Sequence, residues 1–519
     1  MPRSILPALA LVTACLLAPW HPAAAQVPAL EISQISIATL QEGFRTGSLT
    51  CRAVVVASLA RIEAHDKRGA ALNAIILSNP EALGIADSLD RRFRSTGTAG
   101  PLHCVPVIVK DNFNTAGLQT AAGSLSLAGF IPDHDAFQVA RLKAAGAIVL
   151  AKSNMAEFAF SPLETVGSLL PGYTRNPYDQ TRVTAGSSGG TAAGVAAGYG
   201  TVGLGSDTGN SIRGPSAHQA LVGIRSTMGL TSRGGVIPLS LAADIAGPMA
   251  RSVADAVAVF QVIAGSDPAD PVTATADARL DPDYARHLRG DGLRGARIAV
   301  LNQAWERPTA DPEVRTVFQR AVGDLRLAGA TVLDSMPLPG YDSLLRTARG
   351  CNRFRHDLEA FLATQPAPPV RTVAEILESR RFHPSVEARL QASQAVDSTP
   401  DANPGCQARA QFAAALGDLV TRVMDSLGLD ALVYPTWSNP PRLIGDLNTP
   451  HGDNSQIFAP ATGFPAVTVP MGWLRDGSLP AGMTFFGRAW SEPVLFRLSY
   501  AFEQATRHWK PPAATPPLR

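Results

Sequence analysis

Three serines stand in glycine-rich turns between Thr184 and Thr227, a stretch reading T-A-G-S-S-G-G-T-A-A-G-V-A-A-G and then G-L-G-S-D-T-G-N-S-I-R-G-P-S-A. They are Ser187, Ser188 and Ser211. Glycine is needed where φ must be positive or where a ligand must approach the main chain, so serines bracketed this way suggest a site. A flexible Gly/Ser linker would be polar throughout, whereas Ala192–Ala197 and Thr201–Leu204 are largely apolar. A serine hydroxyl becomes a useful nucleophile only when a base takes its proton, and acyl chemistry also needs donors for the developing oxyanion. Successive N–H groups in the Asp207–Ser211 turn would form a nest for negative charge. Lys110 follows the apolar, β-branched run Val105–Val109. A lysine serves as base only when neutral, which requires burial that moves its pKa from about 10.4 toward roughly 7 or 8.

The elements that must position these groups can be read from apolar patterning. Ser187–Gly190 is expected to open a helix through Ala197, followed by a buried strand over Thr201–Gly205 and a tight turn over Asp207–Ser211. Val105–Val109 predicts a buried strand that delivers Lys110 at its end. Helical spacing marks Val54–Ala64, Asp135–Ala145, Arg251–Ala264, Pro312–Ala328 and Pro493–Thr506. Leu72–Ile76, Ala147–Ala151, Arg297–Leu301, Ala330–Leu333, Ala431–Pro435 and Ala466–Pro470 read as strands. Alternation of this kind favours an α/β sheet with sites at strand ends. Proline-bearing loops at Gln365–Val370 and Thr399–Gly405 lie within a mostly helical insertion at about residues 340–425.

The pair G-S-S-G-G and D-T-G-N-S-I-R-G-P-S-A, with P-L-H-C-V-P-V-I-V-K-D-N upstream, resembles the amidase signature family of serine hydrolases. The likeness extends to A-K-S-N-M-A-E-F-A, D-I-A-G-P-M-A-R-S-V-A-D, T-G-F-P-A-V-T-V-P-M-G and L-P-A-G-M-T-F-F-G-R. It implies a large mixed central sheet flanked by helices, built from residues 26–519. It also implies Ser211 as nucleophile, Ser187 as a bridging serine on a cis peptide, and Lys110 as base. The N–H groups of Thr208, Gly209, Asn210 and Ser211 would then receive the oxyanion. The implied activity is hydrolysis of a carboxylic amide, with Phe354–Leu362 and Pro369–Leu377 resembling peptide-amidase-type members. Asn210 stands where the family usually places a second glycine, and asparagine tolerates a left-handed backbone, so the turn is expected to accommodate it.

Other readings stay open on the residues alone. Ser187 could be a helix N-cap. Ser188 and Ser206 are expected to bond turn backbone, and Asp207 and Arg213 to hold the loop as an ion pair. Gly186–Gly190 also fits G-x-S-x-G, which would make Ser188 the nucleophile of an α/β-hydrolase with His451 or His508 as base; that reading needs a strand just before the motif, where Asn176–Arg182 is turn-like. A non-catalytic binding protein would need none of Lys110, Ser187 and Ser211. The transamidating component of a tRNA-dependent amidotransferase is a further relative within the family.

The whole chain narrows the classes. Its 519 residues are 45% hydrophobic and only 17% charged, where soluble domains average about 25% charged, so a large core is expected. A formal charge of +2 gives no basic excess for nucleic acid or acidic lipid. Ten scattered histidines, with no H-E-x-x-H and no C-x-x-C, predict neither metal nor cofactor. The expected partner is therefore a small-molecule or peptide amide. Residues 1–25 combine Arg3, an apolar run Ile5–Ala18 and Ala23–Ala25, which reads as a signal peptide cleaved before Gln26. Export to the periplasm or beyond would follow, with no membrane span. The alternative is a lipoprotein anchored at Cys15, since Val12–Cys15 resembles a lipobox. Cys51, Cys104, Cys351 and Cys406 would remain; Cys351 and Cys406 flank the insertion and are the preferred disulfide, with isolated buried thiols as the alternative.

Overall fold

The computed structural model describes residues 1, 30–97 and 99–518. The signal-peptide reading and the anchor at Cys15 fall on residues 2–29, outside the described residues. The described chain is organised by one mixed sheet of eleven strands. In chain order these are β1 (Ile75–Ser78), β2 (Pro106–Lys110), β3 (Ile148–Ser153), β4 (Val202–Asp207), β5 (Val222–Arg225), β6 (Ile245–Ala250), β7 (Arg297–Val300), β8 (Thr331–Leu333), β9 (Ala431–Pro435), β10 (Ala466–Leu474) and β11 (Leu479–Phe486). Across the sheet they run β1-β3-β2-β4-β6-β5-β10-β11-β9-β7-β8.

Two parallel blocks bracket an antiparallel centre. In the first, β2 lies between β3 and β4, with Val107 opposite Val149 and Val202. In the second, β7 lies between β8 and β9, with Ala299 opposite Leu333 and Leu432. Strands β4, β6, β5, β10, β11 and β9 join them through antiparallel pairs. Every residue of β2, β3, β4 and β9 is buried, which explains why these segments read as continuous apolar runs rather than alternating ones. Helix Gly189–Ala196 packs on β2 and β4, and helix Val253–Ile263 on β6 and β5. Among the described residues no helix is long and apolar enough to cross a membrane.

Departures from the sequence reading have local causes. β1 begins at Ile75, three residues after the apolar run starts, because Ala71 and Asn73 have positive φ and break extension. β4 runs through Asp207, so the turn begins at Thr208. The sequence reading did not find β5, β6 and β11. β6 carries Gly247 and Pro248, composition that argues against an interior strand; it pairs with β4 along its full length but with β5 only at Met249 and Ala250.

Residues 341–426 are largely helical: Tyr341–Leu345, Phe354–Ala363, Val373–Ser379, Glu387–Gln394 and the long Pro404–Ser426. Phe354, Leu358, Leu362, Ile376 and Leu390 form a small core there with Phe158 and Phe160. Cys351 and Cys406 are joined as a disulfide, and so are Cys51 and Cys104, replacing the isolated-thiol alternative for all four.

Candidate active site

Lys110 is the last residue of β2 and is wholly buried. Its Nζ lies 2.7 Å from Ser187 Oγ, 2.9 Å from Ser206 Oγ and 3.3 Å from the Ser206 carbonyl. Burial lowers its pKa from 10.5 to about 7, against the opposing pull of the Asp244 and Asp207 carboxylates. The sequence reading treated Ser206 only as a hydroxyl for turn backbone. Its Oγ instead accepts from both Lys110 and the Asn112 amide, at 2.9 and 3.0 Å.

Ser187 follows Gly186 across a cis peptide bond. Gly186 is required by space, because a Cβ there would lie 2.3 Å from the Glu164 carbonyl oxygen and 2.5 Å from that of Ser161. Ser187 is not the cap of the following helix. That position is held by Ser188, whose side chain makes no capping bond and instead donates to the Ser206 carbonyl at 3.3 Å. Among the described residues no strand stands directly before the Gly186–Gly190 motif, His451 Nδ1 accepts from the Asp453 N–H, and His508 packs against Phe502. The α/β-hydrolase arrangement is therefore not built.

Ser211 lies in the turn after β4 and lines, with Thr208 and Gly209, a cavity of about 890 Å³. Its carbonyl accepts the Ser188 N–H at 3.3 Å, so the two serine turns lie side by side. Among the described residues the N–H groups of Thr208, Gly209, Asn210 and Ser211 have no acceptor within the protein. Four successive free donors form a nest of positive partial charge. Neither Gly209 nor Asn210 adopts a left-handed backbone, which corrects the expectation that Asn210 would need to tolerate one. Asn210 points its side chain away into a buried bond, donating to Asp453 at 2.8 Å. A Cβ on Gly209 would sit 2.1 Å from Gln456 Oε1, so a side chain there would displace Gln456 from its bond to Asp453.

The turn is held from below by charge. Asp207 takes a two-pronged contact from Arg213, Nε to Oδ2 and Nη2 to Oδ1, both at 3.1 Å. It also accepts Arg225 Nη1 at 3.0 Å and the Ile212 N–H at 3.1 Å. Burial pushes this carboxyl up, but the two guanidiniums and these bonds outweigh it and hold it at about 2. Arg213 reaches on to the carbonyls of Gly209 and Ser455, fixing the turn against the loop that carries Asp453 and Gln456. Asp244 accepts the Thr208 hydroxyl and the Leu239 and Ser240 N–H groups. Arg225, Asp244, Asp453 and Gln456 were missed by the sequence reading. For Asp244 a signal existed, since it opens the quoted family-like segment D-I-A-G-P-M-A-R-S-V-A-D, and Gln456 lies six residues before another that begins at Thr462, but nothing local marks their partners.

Comparison with known proteins identifies the chain's relatives. The family profile described as Amidase matches residues 53–496. A probable amidase of Arabidopsis thaliana is 32% identical over 501 residues, spanning 93% of this chain and 92% of its own length. Among solved structures, the peptide amidase of Stenotrophomonas maltophilia superposes with a TM-score of 0.85 at 37% identity, covering 92% of this chain and 98% of that one. An amidase family protein of Bacillus anthracis superposes with a TM-score of 0.81 at 31% identity, covering 93% of this chain and 92% of that one.

Proposed function

As the chain belongs to the amidase signature family, we propose that it is an exported amidase hydrolysing the carboxamide of a peptide or small molecule through an acyl-enzyme on Ser211. The observation that carries this reading is a fully buried lysine, held near neutrality, 2.7 Å from Ser187 beside the Ser211 turn. In this mechanism Lys110 in its neutral form draws the proton from Ser187, and Ser187 in turn draws it from Ser211 as Ser211 Oγ attacks the amide carbon. The four free N–H groups of residues 208–211 face the charge that forms on the carbonyl oxygen. The same proton then passes back to the leaving amine, and water repeats the path in reverse to release the acid.

The peptide-amide assignment is supported by the structural likeness to the Stenotrophomonas enzyme and by a cavity large enough for an extended ligand. Export is supported by the composition of residues 1–25 and by two disulfides, which persist in oxidising compartments. The balanced charge supports action without nucleic acid. Labelling with a fluorophosphonate followed by peptide mapping tests the mechanism: the adduct is expected on Ser211 and lost in Ser211→Ala. An adduct on Ser188, or none with activity retained in Ser211→Ala, overturns it. N-terminal sequencing of the secreted protein, expected to begin at Gln26, tests export.

A further inference from the structure

Resting on the amidase reading, we infer that the acyl part of the natural substrate carries a carboxylate, recognised by Arg349, Arg389 and Arg409 on the wall of the Ser211 cavity. Four arginines line this cavity, these three and Arg353, against one acidic residue, Asp401. Only Arg353 is neutralised, by a two-pronged contact with Asp357 at 2.6 and 2.9 Å. Among the described residues the other three form no ion pair. Among the described residues the Arg409 guanidinium makes no hydrogen bond, and it stands over the face of Phe412, 5.4 Å from the ring centre. Arg349 donates only to the nearby carbonyls of Arg346 and Ala348. Arg389 bonds the Phe160 carbonyl and lies over that ring at 5.6 Å, leaving other donors free.

This excess is local. The chain as a whole nearly balances, with 45 basic and 43 acidic residues, and elsewhere Arg213 and Arg225 share Asp207 while Arg233 pairs with Asp270. Burial lowers the pKa of both Arg389 and Arg409, a cost that a bound anion would offset. A guanidinium presents a planar fork that matches a carboxylate, which favours that anion over a diffuse charge effect. All three arginines belong to the helical stretch 341–426, whereas Ser211 lies in the turn that follows strand β4 of the sheet. A carboxylate on a side chain some residues before the scissile amide would span the two.

The test uses acetylated tetrapeptide amides that place Glu, Gln or Lys at each of the three positions preceding the C-terminal residue. kcat/KM is measured at low and high salt for wild type, Arg349→Gln/Arg409→Gln and Arg349→Glu/Arg409→Glu. At one position wild type is expected to favour Glu over Gln by roughly tenfold, chiefly through KM and less so at high salt. The Gln variant brings that ratio toward one, and the Glu variant turns the preference to Lys. Equal turnover of the Glu and Gln peptides at every position, or a Glu preference unchanged in both variants, overturns the inference while leaving amide hydrolysis intact. No turnover of any peptide amide overturns the functional reading and the inference with it.

Discussion

A base that works by being buried and neutral should cost stability in a way that depends on pH, and Lys110→Met measures that cost. Folding lowers the Lys110 pKa from 10.5 to about 7, so between those values the unfolded chain holds a proton that the folded protein has lost. Stability at this site therefore rises with pH through the window from about 7 to 10.5 and is flat on either side. The linkage relation puts the penalty at roughly 5 kcal/mol at pH 6 and roughly 2 kcal/mol at pH 9. Methionine has similar length and no charge, so Lys110→Met removes the penalty and also the bonds to Ser187 and Ser206. Those lost bonds shift the variant equally at both pH values, and every other titrating group is common to the two proteins. Wild type should thus gain about 3 kcal/mol on the variant between pH 6 and pH 9. Urea unfolding at both pH values reads this directly. In parallel, wild-type kcat/KM on an amide should climb about tenfold per pH unit below pH 7 and level off above it, and the climb should vanish with the lysine. Parallel stability curves for the two proteins would refute the argument, because Lys110 would then keep its ordinary proton on folding.

Other outcomes follow from the same site. Asp207→Asn leaves Arg213 and Arg225 buried without their shared carboxylate and should cost about 3 to 5 kcal/mol in denaturant unfolding; in wild type the contribution of Asp207, whose pKa is depressed from 3.8 to about 2, is full above the higher value and is lost as pH falls through the lower one. Gly209→Ala should lower kcat by about a hundredfold or more by driving the turn off Gln456; adding Gln456→Ala should recover part of it, and failure to recover would show that the glycine acts otherwise. Cys351→Ala/Cys406→Ala opens a link spanning 55 residues, worth about 4 kcal/mol in the chain-entropy account, and should raise KM because both residues line the cavity; a Tm shift with unchanged KM would separate the two effects.

How much of the site was legible beforehand depended on how far each contact reaches along the chain. Lys110, Ser187 and Ser211 were visible because each sits in a local signal: an apolar β-branched run, or serines among glycines. The Asp207–Arg213 pair spans six residues and could be expected from one turn. Arg225 and Asp453 are invisible in the same way that any partner is when 18 or 243 positions separate the two ends of the contact. β6 was hidden for a different reason. Gly247 and Pro248 spoil the strand pattern, yet a Cβ on Gly247 would lie 2.4 Å from the Ile224 carbonyl, so close packing against β5 demands the residue that propensity disfavours. The cationic wall also went unseen, because its arginines are scattered between Arg349 and Arg409 along a helical stretch and only folding places them on one cavity.

The sheet also explains why one of two buried lysines is suited to act as a base. In the parallel pairing of β2 and β3, Lys152 lies opposite Val109 and Lys110 lies opposite Ser153, so the two lysines project to opposite faces. On its face Lys152 donates to the Phe113 carbonyl at 2.6 Å and to Thr120 at 2.7 Å, with Asp111 at 4.0 Å. Burial lowers its pKa while Asp111 opposes the fall, and all of these neighbours are acceptors that favour a charged ammonium. Lys110 meets two serine hydroxyls and one carbonyl, and the Asp207 carboxylate behind it is already occupied by two arginines. Arg213 and Arg225 therefore do more than fix the turn: their charges offset part of the attraction by which Asp207, after Asp244, favours a proton on Lys110. Replacing either arginine should raise the pH at which activity appears, whereas replacing Asp111 should leave that pH where it is.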